Sequence, residues 1–153
     1  MINENKTKIK NKIIKIGADL DGVIAINHLN KADYRPYRLH EYYKKAIATK
    51  LHLRVQPDVI ITGRRVHFKK LTIQWLVDNG INFNTLIMFP NKVKKSNKTL
   101  GEFKAKCINE LGLDKYYEDD ERIVEQLQAS CPHTEIILVD KDTNIIKDLK
   151  YRW

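Results

Sequence analysis

Two aspartates, Asp19 and Asp21, follow an apolar segment near the start of the chain and stand immediately before Gly22. Two carboxylates at this spacing, where a strand ends, can both reach one phosphoryl group. Bare carboxylates repel a phosphate dianion, so a hard divalent cation is expected, and Mg²⁺ binds a few carboxylates together with substrate oxygens. Gly22 permits the sharp turn that such a site needs. A D-x-D pair alone is common in acidic turns, but this one opens the first predicted strand-to-helix connection.

A second polar group, Thr62 and Gly63, ends the next apolar run and is followed by Arg64 and Arg65. The threonine hydroxyl can donate a hydrogen bond to a phosphate oxygen, and the bare backbone of glycine lets main-chain N–H groups approach it. Either arginine could bind further substrate phosphates through two parallel hydrogen bonds. A Thr-Gly pair by itself is more typical of an ordinary turn.

A third charged group is Lys104, which lies in the first turns of a predicted helix. A fixed ammonium beside two carboxylates and a phosphate would neutralise charge as it develops during phosphoryl transfer. Lysine is common on helix surfaces, and Lys106 is the competing candidate for the same position.

The fourth group is the acidic run Glu118, Asp119 and Asp120, at the end of a weaker predicted strand. An acid at this position would complete a Mg²⁺ site with Asp19, and Asp119 is preferred to Glu118 or Asp120 as the ligand. The alternative interpretation is a helix N-cap with acids that favour the helix dipole. Both can hold if Asp120 caps the helix while Asp119 binds the metal.

Five short apolar or β-rich runs predict the strands that position these groups. They cover residues 13–20, 58–62, 84–89, 114–118 and 134–140. Near-continuous runs of this kind favour strands buried on both faces, as in a parallel sheet. Ligands of such sheets bind beyond the carboxyl ends of the strands, and the polar groups follow those ends in order.

Helical spacing of apolar residues predicts helices between the strands. They lie around residues 39–51, 68–76, 100–111 and 123–127, and a short last helix is predicted over 142–150. Thr99 and Glu102 indicate a capping box at the start of the third of these helices. The alternation of strands and helices predicts an α/β fold, namely a three-layer, Rossmann-like parallel sheet of about five strands with helices on both faces. Residues 13–153 are expected to form this single domain, preceded by a flexible basic arm over residues 1–12.

The four groups, in this order, resemble the motifs of the haloacid dehalogenase superfamily. Its motifs are DxDG[TV], an apolar run ending in [ST]G, a lysine and an acidic pair. They correspond here to DLDGV, VIITG, the lysine of EFKAK and YYEDD. The resemblance spans about residues 13–140, and motif three is placed by position alone.

This resemblance implies a phosphatase with Asp19 as the nucleophile, which forms an aspartyl phosphate. Asp21 would protonate the leaving oxygen and then activate the hydrolytic water. Thr62 and Lys104 would hold the transferring group. Asp19, the main-chain carbonyl of Asp21 and Asp119 would bind Mg²⁺.

The chain as a whole is basic, with a formal net charge of +9 and a pI of about 9.5, which favours capture of anionic ligands. The two cysteines form no C-x-x-C motif, and Cys107 is predicted to be a buried thiol, as suits a reducing cytoplasm. The N-terminal residues do not form a secretory signal, and no apolar run is long enough to span a membrane. We expect a soluble cytoplasmic protein, a monomer or a small homo-oligomer.

The predicted active site is open, because residues 23–57 and 91–99 are too short to form a large cap domain. A basic segment with Lys92, Lys94, Lys95 and Lys98 lies at the active-site end of the sheet and is either a cationic rim or a solvated loop. Tyrosines and basic residues of 34–45 could stack on bases and pair with phosphates, but an amphipathic helix with the tyrosines half-buried against the sheet is the preferred interpretation. The open site and the net positive charge favour a large anionic substrate. The preferred substrate is therefore a DNA or RNA end, and the motifs are similar to the phosphatase domain of polynucleotide kinases. The sequence contains no P-loop motif of the GxxxxGK[ST] type, so we expect no kinase half in it. The alternatives are a small-molecule phosphatase for nucleotides or sugar phosphates, and a nucleic-acid-binding module without activity.

Overall fold

The computed structural model describes residues 13–27, 38–140 and 145–146. The predicted basic arm, residues 1–12, lies outside this part of the chain, and so do Tyr34 and Tyr37. No large cap domain stands over the sheet among the described residues. None of the helices in these ranges combines the length and the apolar character needed to cross a membrane.

Eight strands and five helices make up the described structure. The strands are β1 (Ile16–Ala18), β2 (Ala25–Ile26), β3 (Ile47–Ala48), β4 (Val59–Arg65), β5 (Thr85–Phe89), β6 (Lys115–Glu118), β7 (Glu135–Asp140) and β8 (Ile145–Ile146). The helices are α1 (Leu39–Lys44), α2 (Leu51–Val55), α3 (Lys69–Asp78), α4 (Asn97–Leu111) and α5 (Glu121–Ser130), and a 3₁₀ turn, Val66–Phe68, precedes α3.

The main sheet has the strand order β5-β4-β1-β6-β7-β8. Its first five strands are parallel, which confirms the predicted five-stranded parallel sheet, and β8 pairs antiparallel to β7 at one edge. The connection after β1 leads to β4 on one side, whereas the connection after β6 leads to β7 on the other. This reversal opens a crevice at the carboxyl ends of β1 and β6, where α/β sheets bind ligands.

Both faces of the sheet are buried, as the near-continuous apolar runs predict. In β4, Ile60 packs into one core cluster and Ile61 into the other, because successive side chains of a strand point to opposite faces. In β6, Tyr117 and Tyr116 divide between the same two clusters. Residues of α2 and α3 belong to the first cluster and residues of α4 and α5 to the second. The chain therefore forms the predicted three layers.

The segment over residues 39–51 is not the single helix that its pattern predicts. Helix α1 ends at Lys44, and strand β3 pairs antiparallel with β2 before α2 begins. The Thr49 backbone N–H donates to the carbonyl of Ile24 at 2.8 Å, and its hydroxyl donates to the carbonyl of Val23 at 2.7 Å. Pairing with the segment after β1 therefore overrides the local helical preference, which is a weak determinant of structure.

Helix α4 begins earlier than predicted, because its N-cap is Ser96 and not Thr99. The Ser96 hydroxyl accepts the Thr99 backbone N–H at 3.1 Å, and the Thr99 hydroxyl accepts the Ser96 backbone N–H at 2.8 Å. Threonine thus takes the place of Glu102 as the returning side chain of the capping box. Cys107, predicted to be a buried thiol, is only half-buried, whereas Cys131 is buried.

The predicted last helix, residues 142–150, is wrong where the structure describes it. The backbone of residues 145–146 forms β8, in which Ile145 pairs with Asp140 and Ile146 with Val139. The adjacent β-branched residues of this pair favour a strand once the edge of β7 is available for hydrogen bonding. The other residues of the predicted helix lie outside the described ranges.

Candidate active site

The carboxyl end of β1 carries Asp19, whose position is fixed by the neighbouring strand. The Asp19 backbone N–H donates to the carbonyl of Tyr117 at 2.9 Å, which extends the pairing of Ala18 with Tyr117 by one residue. The parallel register therefore sets Asp19 beside Glu118. The Leu20 backbone N–H donates to Oδ1 of Asp19 at 2.8 Å, so the carboxylate is oriented by its own turn.

The turn after Asp19 depends on Gly22. This residue has a φ of 88°, in the left-handed region that favours glycine, and its N–H donates to the carbonyl of Ala25 at 2.7 Å. A Cβ at this position would collide with the carboxyl group of Asp119. Two constraints therefore require glycine at position 22 of the DLDGV motif: the positive φ of the turn and the close approach of Asp119.

Three acids converge at the crevice between β1 and β6. Asp19, Glu118 and Asp119 each offer a carboxylate oxygen, and these oxygens all lie within 4.8 Å of one another. Asp120 turns away instead and caps α5, because its Oδ1 accepts the Arg122 backbone N–H at 2.9 Å. Glu118 and Asp119 therefore face the site, and we call them the inward acids. Asp120 caps α5, which agrees with the predicted helix N-cap.

Lys104, and not Lys106, enters this site from the second turn of α4. Its Nζ lies 2.8 Å from Oε1 of Glu118 and 3.2 Å from Oδ1 of Asp19, and the residue is only 1% exposed. Burial alone would lower the pKa of the Lys104 ammonium, but the two carboxylates raise it well above its usual range. Lys106 is exposed and lies 3.9 Å from Glu110 on the helix surface.

Lys104 alone cannot balance the charge of all three carboxyl groups when they are ionised. Oε2 of Glu118 is buried and has no hydrogen-bond partner among the described residues. Burial and the nearby Asp19 carboxylate raise the pKa of Glu118 well above its ordinary value, and the same two causes raise the pKa of Asp119 to about 8. Three hard oxygen donors with a charge deficit and an orphaned carboxylate oxygen fit a small divalent cation such as Mg²⁺. Asp19, Asp119 and Glu118 are the side chains that could hold it.

Asp21 is paired with a buried arginine, Arg64. Arg64 binds its carboxylate through two hydrogen bonds, Nε to Oδ2 at 2.9 Å and Nη2 to Oδ1 at 2.8 Å. Arg64 also donates to the Thr72 hydroxyl, and its guanidinium lies 4.0 Å from the ring centroid of Tyr43. Burial would lower the pKa of the Arg64 guanidinium, but the nearby Asp21 carboxyl raises it above its ordinary value. Arg64, predicted to bind a substrate phosphate, thus holds Asp21.

Thr62 and Gly63 lie at the carboxyl end of β4, beside β1. The register between β4 and β5 shifts between Thr62 and Arg65, an irregularity that redirects the strand end. The buried Thr62 hydroxyl accepts the Arg64 backbone N–H at 3.0 Å and donates to no described group, which leaves its hydrogen for a ligand. Gly63 lies against the side chain of Leu100, where an added Cβ would come within 3.2 Å of a methyl group.

Sequence reasoning did not find the contacts of two residues of this region, Tyr43 and Arg65. Tyr43 forms the wall behind the guanidinium of Arg64, although only its aromatic character among basic residues marked it. Arg65 was predicted to bind phosphate, but its Nη1 donates to three main-chain carbonyls, those of Pro90, Asn91 and Val93. No local pattern reveals such contacts, because the partners follow β5, the neighbouring strand.

These features define an α/β protein with an acidic, lysine-bearing site at the carboxyl edge of its parallel sheet. No family model matches the chain, and no curated protein matches it. A chain of a solved Pnkp1/Rnl/Hen1 RNA repair complex is similar to it, with a TM-score of 0.65 and 14% identity over 82% of this chain and 42% of that chain. A chain of a second Pnkp1/Rnl/Hen1 complex has a TM-score of 0.62 and 15% identity over 82% and 45%. This chain spans less than half the length of both matched chains, and at such identity the similarity establishes the fold alone.

The raised pKa of Asp119 predicts how pH and Mg²⁺ affect stability. A carboxyl whose pKa is raised from 3.8 to about 8 on folding binds an extra proton only in the folded state, so the metal-free protein should lose stability as pH rises through this range. Because Mg²⁺ requires the carboxylate, the increase in Tm on adding Mg²⁺ should be larger near pH 8 than near pH 5. Thermal unfolding with EDTA or MgCl₂ measures both effects.

Asp120→Asn is the matched control for Asp119→Asn. Asparagine caps a helix as well as aspartate, so the control should fold and keep its Mg²⁺-dependent increase in Tm. Asp119→Asn should lose most of that increase. Equal losses in the two variants would contradict the assignment of Asp119 as the metal ligand.

Proposed function

We propose that this protein is a Mg²⁺-dependent phosphatase of the haloacid dehalogenase type that removes a phosphate from a polynucleotide end through an aspartyl-phosphate intermediate. The observation that carries the proposal is the convergence of Asp19, Lys104 and the inward acids Glu118 and Asp119 at one edge of the sheet. Their order along the chain matches the superfamily motifs, and their types match the charges that phosphoryl transfer requires.

Asp19 is the proposed nucleophile. Oδ1 of its carboxylate accepts the Leu20 backbone N–H and lies 3.2 Å from the Lys104 ammonium, so donors orient the group before substrate arrives. A carboxylate oxygen forms a bond to phosphorus as the bond to the leaving oxygen breaks, and the product is an acyl phosphate on Asp19. Water then attacks this phosphorus, which releases inorganic phosphate and regenerates the carboxylate.

Asp21 is the proposed general acid and base. The two hydrogen bonds from Arg64 fix its carboxyl plane, and its side chain remains 41% exposed, so water can reach it. A proton goes from Asp21 to the leaving oxygen in the first step and returns from the attacking water in the second. In this arrangement Arg64 is a positioning residue for Asp21, and not a substrate ligand.

The transferring phosphoryl group would be held by Thr62, Gly63 and Lys104. The hydrogen of the Thr62 hydroxyl and the backbone N–H groups near Gly63 can donate to its oxygens, while the buried ammonium offsets its charge. A Mg²⁺ held by Asp19 and Asp119 would supply further stabilisation of the negative charge on the transferring group. The main-chain carbonyl of Asp21 completes the proposed metal ligands.

The polynucleotide substrate is inferred from charge, openness and the structural neighbours. The loop between β5 and α4 carries the exposed residues Lys92, Lys94 and Lys95, and the first turn of α4 adds the exposed Lys98, at the same edge of the sheet as Asp19. The absence of a large cap among the described residues leaves room for a chain rather than a small molecule. One of the two similar chains belongs to a complex named for RNA repair, which favours an RNA end among the candidate substrates.

The first test is the turnover of p-nitrophenyl phosphate by wild type and Asp19→Asn. Wild type should release p-nitrophenol only with Mg²⁺, and Asp19→Asn should fall to background because an amide cannot form the acyl phosphate. Asp78→Asn, an exposed position on α3, is the control that should keep full activity. An inactive wild type, or an Asp19→Asn variant with undiminished turnover, would disprove the mechanism.

The second test distinguishes the two roles of Arg64. Arg64→Lys keeps the positive charge but loses the paired hydrogen bonds to Asp21, so kcat should fall on the order of 100-fold while KM stays unchanged. A substrate-binding arginine would instead raise KM. Steady-state kinetics on p-nitrophenyl phosphate separates the two results, with Arg122→Lys, which pairs with Asp120 on the surface, as the control.

The third test compares a phosphorylated oligonucleotide with the matching mononucleotide. The oligonucleotide should have the lower KM, and this advantage should shrink as salt increases, because cationic side chains release counterions from the nucleic acid. Equal KM values without salt dependence would exclude the polynucleotide substrate and would favour a small-molecule phosphatase.

A further inference from the structure

A row of aromatic rings leads from the Asp21–Arg64 pair to the surface. The guanidinium of Arg64 lies over Tyr43, and the Tyr43 ring contacts Phe68 edge-to-face with centroids 5.0 Å apart. The Phe68 ring in turn lies 4.1 Å from the ring of His67, at a tilt of 42°. Consecutive contacts therefore connect the proposed general acid to His67.

The exposure of these rings increases along the row. Tyr43 is 2% exposed, Phe68 is half-buried, and His67 is exposed. Val66 beside it is 41% exposed, and Val93 in the loop after β5 is 42% exposed. An exposed flat ring that is backed by a second ring is suited to contact with another flat apolar group.

The His67 ring is held in one orientation by Asn91. The Oδ1 of Asn91 accepts the His67 backbone N–H at 3.0 Å and lies 3.1 Å from Nδ1 of the ring. Since this oxygen can only accept, Nδ1 carries the proton of that hydrogen bond. A ring fixed in advance loses little conformational entropy when a ligand stacks on it.

The same contacts join His67 to the basic loop. Asn91 belongs to the loop that carries Lys92 and Lys94, and the three hydrogen bonds from Arg65 fasten the main chain of this loop to the end of β4. The exposed ring and the exposed ammonium groups are therefore parts of one rigid surface. Stacking rings beside a row of cations is the arrangement by which proteins bind single-stranded nucleic acid.

We propose that the His67 ring, backed by Phe68, stacks on the terminal base of a polynucleotide whose end phosphate reaches Asp19. Lys92 and Lys94 then pair with the phosphates of the following nucleotides. This inference rests on the proposed function and adds to it the contact that distinguishes a nucleotide end from any other phosphate ester.

The test uses two oligonucleotides that differ only in the terminal base. One ends in a normal phosphorylated nucleotide and the other in a phosphorylated abasic residue, and each is prepared with the phosphate at the 3′ end and, separately, at the 5′ end. Loss of base stacking should raise the KM of wild type for the abasic substrate about 10-fold at the end that is hydrolysed. The kcat should be unchanged, because the base does not take part in the chemistry.

The substitution His67→Ala and the abasic substrate together form a double-mutant cycle, and two further variants serve as controls. His67→Ala should raise the KM for the normal end by a similar factor and should no longer distinguish the abasic end. His67→Phe keeps a stacking ring and should retain the distinction. His133→Ala changes an exposed histidine at the amino end of β7, on the opposite edge of the sheet, and should behave as wild type.

Turnover of p-nitrophenyl phosphate separates failure of this inference from failure of the proposed function. The control His133→Ala should hydrolyse this substrate at the wild-type rate, since it changes an exposed residue outside the proposed substrate path. If wild type does not hydrolyse it, the proposed function is wrong and the inference fails with it. If wild type does hydrolyse it but treats normal and abasic ends alike, or if His67→Ala still distinguishes them, the stacking contact is wrong and the phosphatase proposal stands.

Discussion

The buried ammonium of Lys104 is the interaction on which the site depends. Three carboxyl groups meet where β1 and β6 end, and each would be costly to bury without a positive partner. Lys104 reaches Asp19 and Glu118 at once, so a single side chain joins α4 to two strands of the sheet. Removing one partner of a buried ion pair costs about 3–5 kcal/mol, so this arrangement constrains the fold as well as the chemistry. It still leaves the cluster short of positive charge, which is the physical reason for expecting a metal.

Two separate cations give the two aspartates of the DLDGV motif different environments. Asp19 lies with Lys104 and the inward acids, whereas Asp21 is paired with Arg64 and stays partly exposed. Both cations come from neighbouring elements, α4 and β4, and both are buried to 1% exposure. The proposed mechanism needs these different surroundings, because it assigns the attack on phosphorus to Asp19 and the exchange of protons with water to Asp21. The turn at Gly22 allows the two aspartates to stand two residues apart and to pair with different cations.

The loops after β4 and β5 connect this interior to the surface. Arg65 and Asn91 bind the two loops together, and the aromatic row from Tyr43 to His67 follows the same edge. The hydrogen bonds from Arg65 go to main-chain carbonyls and do not depend on the identity of the loop residues, whereas the contact to His67 requires the side chain of Asn91. Lysines can therefore point outward from a fixed backbone, and an open site can still present an ordered surface to a large ligand.

The sequence by itself determined the order of the strands along the chain, their burial on both faces and the positions of the polar groups that follow them. These features are local, because apolar runs, glycines and strand-end carboxylates can be recognised within a few residues. It did not determine the short strand β3 or the edge strand β8, since both form by pairing with a distant segment. It preferred Lys104 to Lys106 by position alone, and it could not find the partners of Arg64 and Arg65. Those choices depend on which face of α4 meets the sheet and on which loops become neighbours, and only the packed tertiary structure decides them.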